Sequence, residues 1–181
     1  MADIRQKVEE DRGILKKIQL IIPGYRGYRI REDLRDSDKM LRMELVKRLK
    51  AQREKVDDAR SELIRTMPLS KNVELAGIID MKLKKLIGMI DFAETGYSGF
   101  VSDIRMDASE LNHLYDFDLI ILQNIIKVDQ SLESLASSIS SEDEKMIKTD
   151  LRQIEKELGD FNEKYTNRRS VIQGTSQGTG V

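Results

Sequence analysis

Apolar residues recur at steps of three and four along almost the whole of this chain, and proline interrupts the rhythm at only two points. That spacing puts the apolar side chains on one face of an α-helix. Over residues 3–22 the face is Ile4, Val8, Leu15, Ile18 and Ile22. Pro23-Gly24 ends this helix, because proline disfavours helical geometry at Ile22 and glycine accepts positive φ. A second helix is expected from near Arg29 to Thr66, with the stripe Ile30, Leu34, Leu41, Leu45, Leu49, Val56, Ala59 and Leu63. At 1.5 Å per residue it would be about 55 Å long. Met67-Pro68 terminates it, and Ser70 is placed to cap a third helix with the stripe Leu75, Ile79, Leu83, Leu86 and Ile90.

The pattern is cleanest from about Asp107 to Ile139, where Leu111, Leu114, Ile121, Ile125, Val128, Leu132, Leu135 and Ile139 keep the heptad rhythm of a bundle or coiled coil. Ser141-Glu142-Asp143-Glu144 reads as a capping box opening a fifth helix, whose stripe is Ile147, Leu151, Ile154, Leu158, Phe161 and Tyr165. Short connections favour antiparallel neighbours. The expected fold is therefore all-α: an elongated antiparallel bundle of four to five long helices over residues 1–172. Residues 173–181, rich in Gly, Ser, Thr and Gln, are expected to form a short disordered, flexible tail.

Composition agrees, since 39% apolar and 35% charged residues suit helices with one buried stripe and a wide solvated face. The Val/Thr/aromatic runs of a sandwich or doubly wound sheet are missing. Cysteine is absent, which excludes disulfides and thiolate chemistry. No transmembrane segment is expected, because no stretch approaches eighteen apolar residues, and the first residues lack a signal peptide's apolar region. The expected location is cytoplasmic.

A net charge of −1 argues against a nucleic-acid binder. The charge is nevertheless uneven. Residues 24–55 carry eleven Lys/Arg against six acids, and residues 107–165 carry fourteen Asp/Glu against six Lys/Arg. Either two helical faces attract each other within the fold, or a basic strip awaits an anionic partner.

Two short phrases sit where helices should stop and start: Gly24-Tyr25-Arg26-Gly27-Tyr28 and Gly96-Tyr97-Ser98-Gly99-Phe100. The first lies within Ile22-Pro23-Gly24-Tyr25-Arg26-Gly27-Tyr28, followed by Arg31-Glu32-Asp33-Leu34-Arg35-Asp36-Ser37-Asp38. The second precedes Leu114-Tyr115-Asp116-Phe117-Asp118. Together these strings resemble a motif of small uncharacterised all-helical prokaryotic proteins with PGYxGY and GYxGF loops, over about the first two-thirds of the chain. The resemblance supports the helical organisation and implies no enzymatic activity.

On physical grounds the paired glycines permit sharp turns, with aromatics folding onto helix ends as apolar plugs. Alternatively Gly24, Tyr25, Arg26, Gly27, Tyr28, Arg29 and Arg31 form an anion site, with backbone N–H groups and a helix N-terminus facing phosphate or carboxylate.

Three charged residues fall within or close to apolar stripes: Asp38, Lys82 and Asp118. Burial requires that they pair across the bundle, with Asp118 expected against Lys82 or a cation of the second helix. Arg31 and Arg35 lie at the edge of the second stripe. Two carboxylates and a lysine in one dry pocket would otherwise have shifted pKa values suited to proton chemistry. Glu110-Leu111-Asn112-His113 has the Glu-x-x-His spacing of di-iron bundles, but His113 is the sole histidine and falls off the stripe, so no metal or cofactor is expected. The expected function is a non-enzymatic scaffold or adaptor for protein partners or self-association as a homodimer. The alternative is a binder of a small phosphate-containing anion.

Overall fold

The computed structural model describes residues 4–25, 27, 31–93 and 108–172, with side-chain surroundings over 13–25, 27, 36–93 and 113–170. These residues form five helices and no strand: α1 (Ile4–Ile21), α2 (Arg31–Thr66), α3 (Asn72–Asp91), α4 (Ala108–Ser140) and α5 (Glu144–Ile172). The protein is an all-helical bundle. The second glycine-aromatic phrase, residues 96–100, and the expected tail, residues 173–181, lie outside the described residues.

The helices pair as two antiparallel hairpins. In the first, Arg53 of α2 meets Asp80 of α3, and Lys50 approaches Asp91. In the second, Ser138 of α4 donates to Asp150 of α5. The hairpins lie side by side with like helices running in the same direction. Tyr25 precedes α2 and reaches Asp118 of α4, while further along Gln52 of α2 reaches Ile125 and Asp129. Asn72 and Lys82 of α3 meet Glu144 and Glu155 of α5 in the same order. The antiparallel order thus holds within each hairpin, and the α2–α4 and α3–α5 contacts are parallel. Helix α1 packs against α4.

The predicted stripes build the core. Leu41, Leu45, Leu49, Val56 and Leu63 of α2 are buried with Ile121, Ile125, Val128, Leu132 and Leu135 of α4. Ile147, Leu151, Ile154, Leu158, Phe161 and Tyr165 close the bundle from α5, and the rings of Phe161 and Tyr165 stack. Each such aliphatic side chain contributes roughly 1.5–3 kcal/mol on burial, so the apolar stripes supply the main drive for the helices to pack.

The helix starts follow local chemistry, with the caps shifted from the expected residues. The N-cap position of α3 is Lys71, whose side chain makes no capping bond, and the expected cap Ser70 stands one residue earlier, its Oγ accepting from the backbone N–H of Asn72 at 3.3 Å. At α5 the cap is Asp143, not Ser141. Its Oδ1 accepts from the N–H groups of Lys145 and Met146, both at 3.0 Å. Ser141 instead donates back to Ser138 O of α4. Glu142 takes a positive φ of 55°, which turns the chain so sharply that the cap moves two residues along.

Candidate functional site

The stripes carry polar residues at one end of the bundle, and these meet in a single buried cluster. Asp118 of α4 is fully buried, as the sequence requires of a partnered carboxylate. Its partner is Arg168 of α5, whose Nε lies 2.5 Å from Asp118 Oδ1. The same guanidinium donates from Nη1 to Asp38 Oδ1 of α2 at 2.7 Å. Asp38 Oδ2 accepts from Arg42 Nε, one helical turn on, at 2.8 Å. Asp118 Oδ2 accepts from the hydroxyl of Tyr25 at 2.8 Å. One continuous chain of charge-assisted bonds, Tyr25–Asp118–Arg168–Asp38–Arg42, thereby joins the α1–α2 loop to three helices.

Lys82 is not part of this cluster. Its side chain is 43% exposed, and its Nζ pairs with Glu155 Oε1 of α5 at the surface. The expected pairing of Asp118 with Lys82 is corrected: among the described side chains, the cation that meets Asp118 is Arg168. The reason is position: Lys82 lies beside its stripe, next to the neighbouring parallel helix, so its long stem reaches outward to Glu155. Arg168 continues the α5 stripe three residues beyond Tyr165 and points inward. Its planar fork can serve two carboxylates at once, which a lysine ammonium does less well.

Among the described side chains the cluster sets two carboxylates against two guanidiniums. Burial alone would push the Asp38 carboxyl up, but the charges of Arg168 and Arg42 and their hydrogen bonds outweigh it, holding Asp38 below its ordinary value of 3.8. Both oxygens of each carboxylate are engaged. The arrangement is suited to clamping helices at a fixed register.

The first glycine-aromatic loop is fitted to this cluster. Gly24 and Gly27 both have positive φ, 86° and 81°, as the turn requires. A Cβ on Gly27 would stand 2.5 Å from the Tyr115 hydroxyl, so a side chain there is excluded twice over. Ser37 Oγ donates to Gly27 O at 3.0 Å, and Gln19 Nε2 donates to Tyr25 O at 2.9 Å. Tyr25 is buried, which makes it a plug with a polar tip. Of the other residues expected at an anion site, Arg26, Tyr28 and Arg29 lie outside the described residues, as does the side chain of Arg31; the side chain of Arg35, at the edge of the α2 stripe, lies outside them too.

Gln52 is a further buried polar residue of α2, outside the cluster. Its Nε2 donates to Ile125 O and to Asp129 Oδ1 of α4. His113 is exposed, and among the described residues no group of three or more His, Cys, Asp or Glu could hold a metal ion. No helix among the described residues is long and apolar enough to cross a membrane. Comparison with protein families, with characterised proteins and with solved structures finds nothing that matches this chain.

Proposed function

We propose that the chain is a non-enzymatic helical scaffold or adaptor, acting in the cytoplasm through its outer surfaces on protein partners, a second copy of itself included. The observation that carries this reading is the closure of the buried cluster. Two aspartates and two arginines in a dry interior are the residues best suited to chemistry in the described part of the chain, yet both oxygens of each carboxylate are engaged within the fold. Such a cluster favours a rigid shape over a reaction. Several large apolar side chains stand exposed on the outer faces, Met43, Leu69, Met81 and Phe92 among them, and offer places for a partner to bury area.

The competing reading places an anion at residues 24–31. It gains less support, because Tyr25 and Gly27 are engaged with the core. Sedimentation at tens of micromolar, chemical cross-linking in the native cell and an NMR titration with phosphate separate the two. The scaffold reading expects a dimer or a stable heteromeric complex. A lone monomer whose amides 24–31 shift with phosphate would replace it with the anion binder.

A further inference from the structure

The charge asymmetry of the sequence is not consumed inside the fold. Of the basic residues between 24 and 55, only Arg48 pairs with an acid of the 107–165 segment, Asp129 at 3.8 Å, among the described residues. Several of the others gather on the outward side of α2, where its first half passes the end of α3. A groove of about 570 Å³ opens there, with buried Val46 and Ile90 on its floor and Met43, 62% exposed, on its rim. Lys39, Lys47 and Lys50 also line it. Lys39 is exposed and makes no ion pair among the described residues. Lys47 and Lys50 stand 3.9 Å from Glu44 and Asp91, with side chains 80% and 58% exposed, too solvated for those pairs to hold them. Arg42 lines the groove as well, but its Nε is held by Asp38 and is not counted among the available cations.

We infer that this groove docks an acidic amphipathic helix of a protein partner, apolar side chains on Val46, Met43 and Ile90 and carboxylates on Lys39, Lys47 and Lys50. The inference rests on the scaffold reading and names its partner class. An apolar floor between helices, on whose rim Lys39, Arg42, Lys47 and Lys50 outnumber Glu54 and Asp91, is a form that receives one face of a helix. A concave floor suits inserted side chains better than a lipid surface. The described groove offers no aromatic ring on which nucleic-acid bases would stack.

The probe is an amphipathic peptide of roughly 18 residues with leucines on one face and glutamates beside them. A twin carries lysine for every glutamate. Fluorescence anisotropy with the full chain is expected to show the acidic peptide binding, its affinity falling with salt, and the lysine twin at least about tenfold weaker. The double variant Lys47→Glu/Lys50→Glu should weaken the acidic peptide at least about tenfold while its circular dichroism stays unchanged. Equal binding of both peptides, or an unaffected double variant, overturns the inference. So does saturable binding of phosphatidylserine vesicles that the acidic peptide fails to displace, which would make the face a membrane surface. Native complexes captured equally by wild type and variant would sink the groove and leave the scaffold standing. Absence of complexes and of self-association, with the peptide still binding at Lys47 and Lys50, would sink the scaffold alone.

Discussion

Asp118 has a fully buried carboxylate whose oxygens meet Arg168 and Tyr25, so its removal takes from the buried Arg168 guanidinium the acceptor of its Nε and leaves Asp38 as its remaining carboxylate among the described residues. Asp118→Ala should cost about 3–5 kcal/mol in denaturant unfolding, and a loss near zero would contradict the pairing. Asp38 makes a pH-dependent contribution. Its folded pKa lies below the ordinary 3.8, so the unfolded chain binds the extra proton first as pH falls. The stability it confers is complete above 3.8 and is lost as pH drops through the lowered folded value. Asp38→Asn should therefore flatten the decline of stability with acid below pH 3.8, as read by urea midpoints of variant and wild type. Parallel curves would assign the acid sensitivity elsewhere. Both aspartates stand out in the sequence because each interrupts an apolar stripe. Arg168 also lies on its stripe, since Leu158, Phe161, Tyr165 and Arg168 keep the three-and-four rhythm. It is hard to find because the stripe looks finished once its apolar members end. Gln52 is hidden in the same way between Leu49 and Val56.

Helix positions follow from periodicity to within a few residues, because each apolar stripe has a single way to be buried. Helix ends are less legible. Ser141-Glu142-Asp143-Glu144 satisfies the spacing of a capping box, yet the left-handed backbone of Glu142 hands the cap to Asp143. Spacing alone does not reveal a positive φ. Asp143→Ala should lose about 0.5–2 kcal/mol, whereas Ser141→Ala should cost clearly less in thermal unfolding. The reverse order would restore the capping box. Helix pairing is partly legible too. Short turns specify that α2 and α3, and α4 and α5, are antiparallel. The parallel contacts between the hairpins depend on polar groups from distant parts of the chain, which no local pattern discloses.

At the scale of the whole molecule, opposite charge in the sequence translates into little contact among the described side chains, where Arg48 with Asp129 is the one pair between the basic and acidic segments. The other described basic side chains of α2 divide between acids of α2 and α3 and solvent. The buried cluster draws its members from far apart: 93 residues separate Tyr25 from Asp118, and 130 separate Asp38 from Arg168. Helical hairpins close through contacts near in sequence, whereas closure over such separations costs entropy before any bond rewards it. The clamp should therefore form after the barrier to folding has been crossed. Arg168→Ala should leave the refolding rate almost unchanged and speed unfolding by about a hundredfold for a loss near 3 kcal/mol, visible in stopped-flow traces. A slowed refolding limb would place the clamp in the folding nucleus. In time as well as in space it would then be a lock: last to close, first to open, and the setting of how long the native bundle survives before it comes apart.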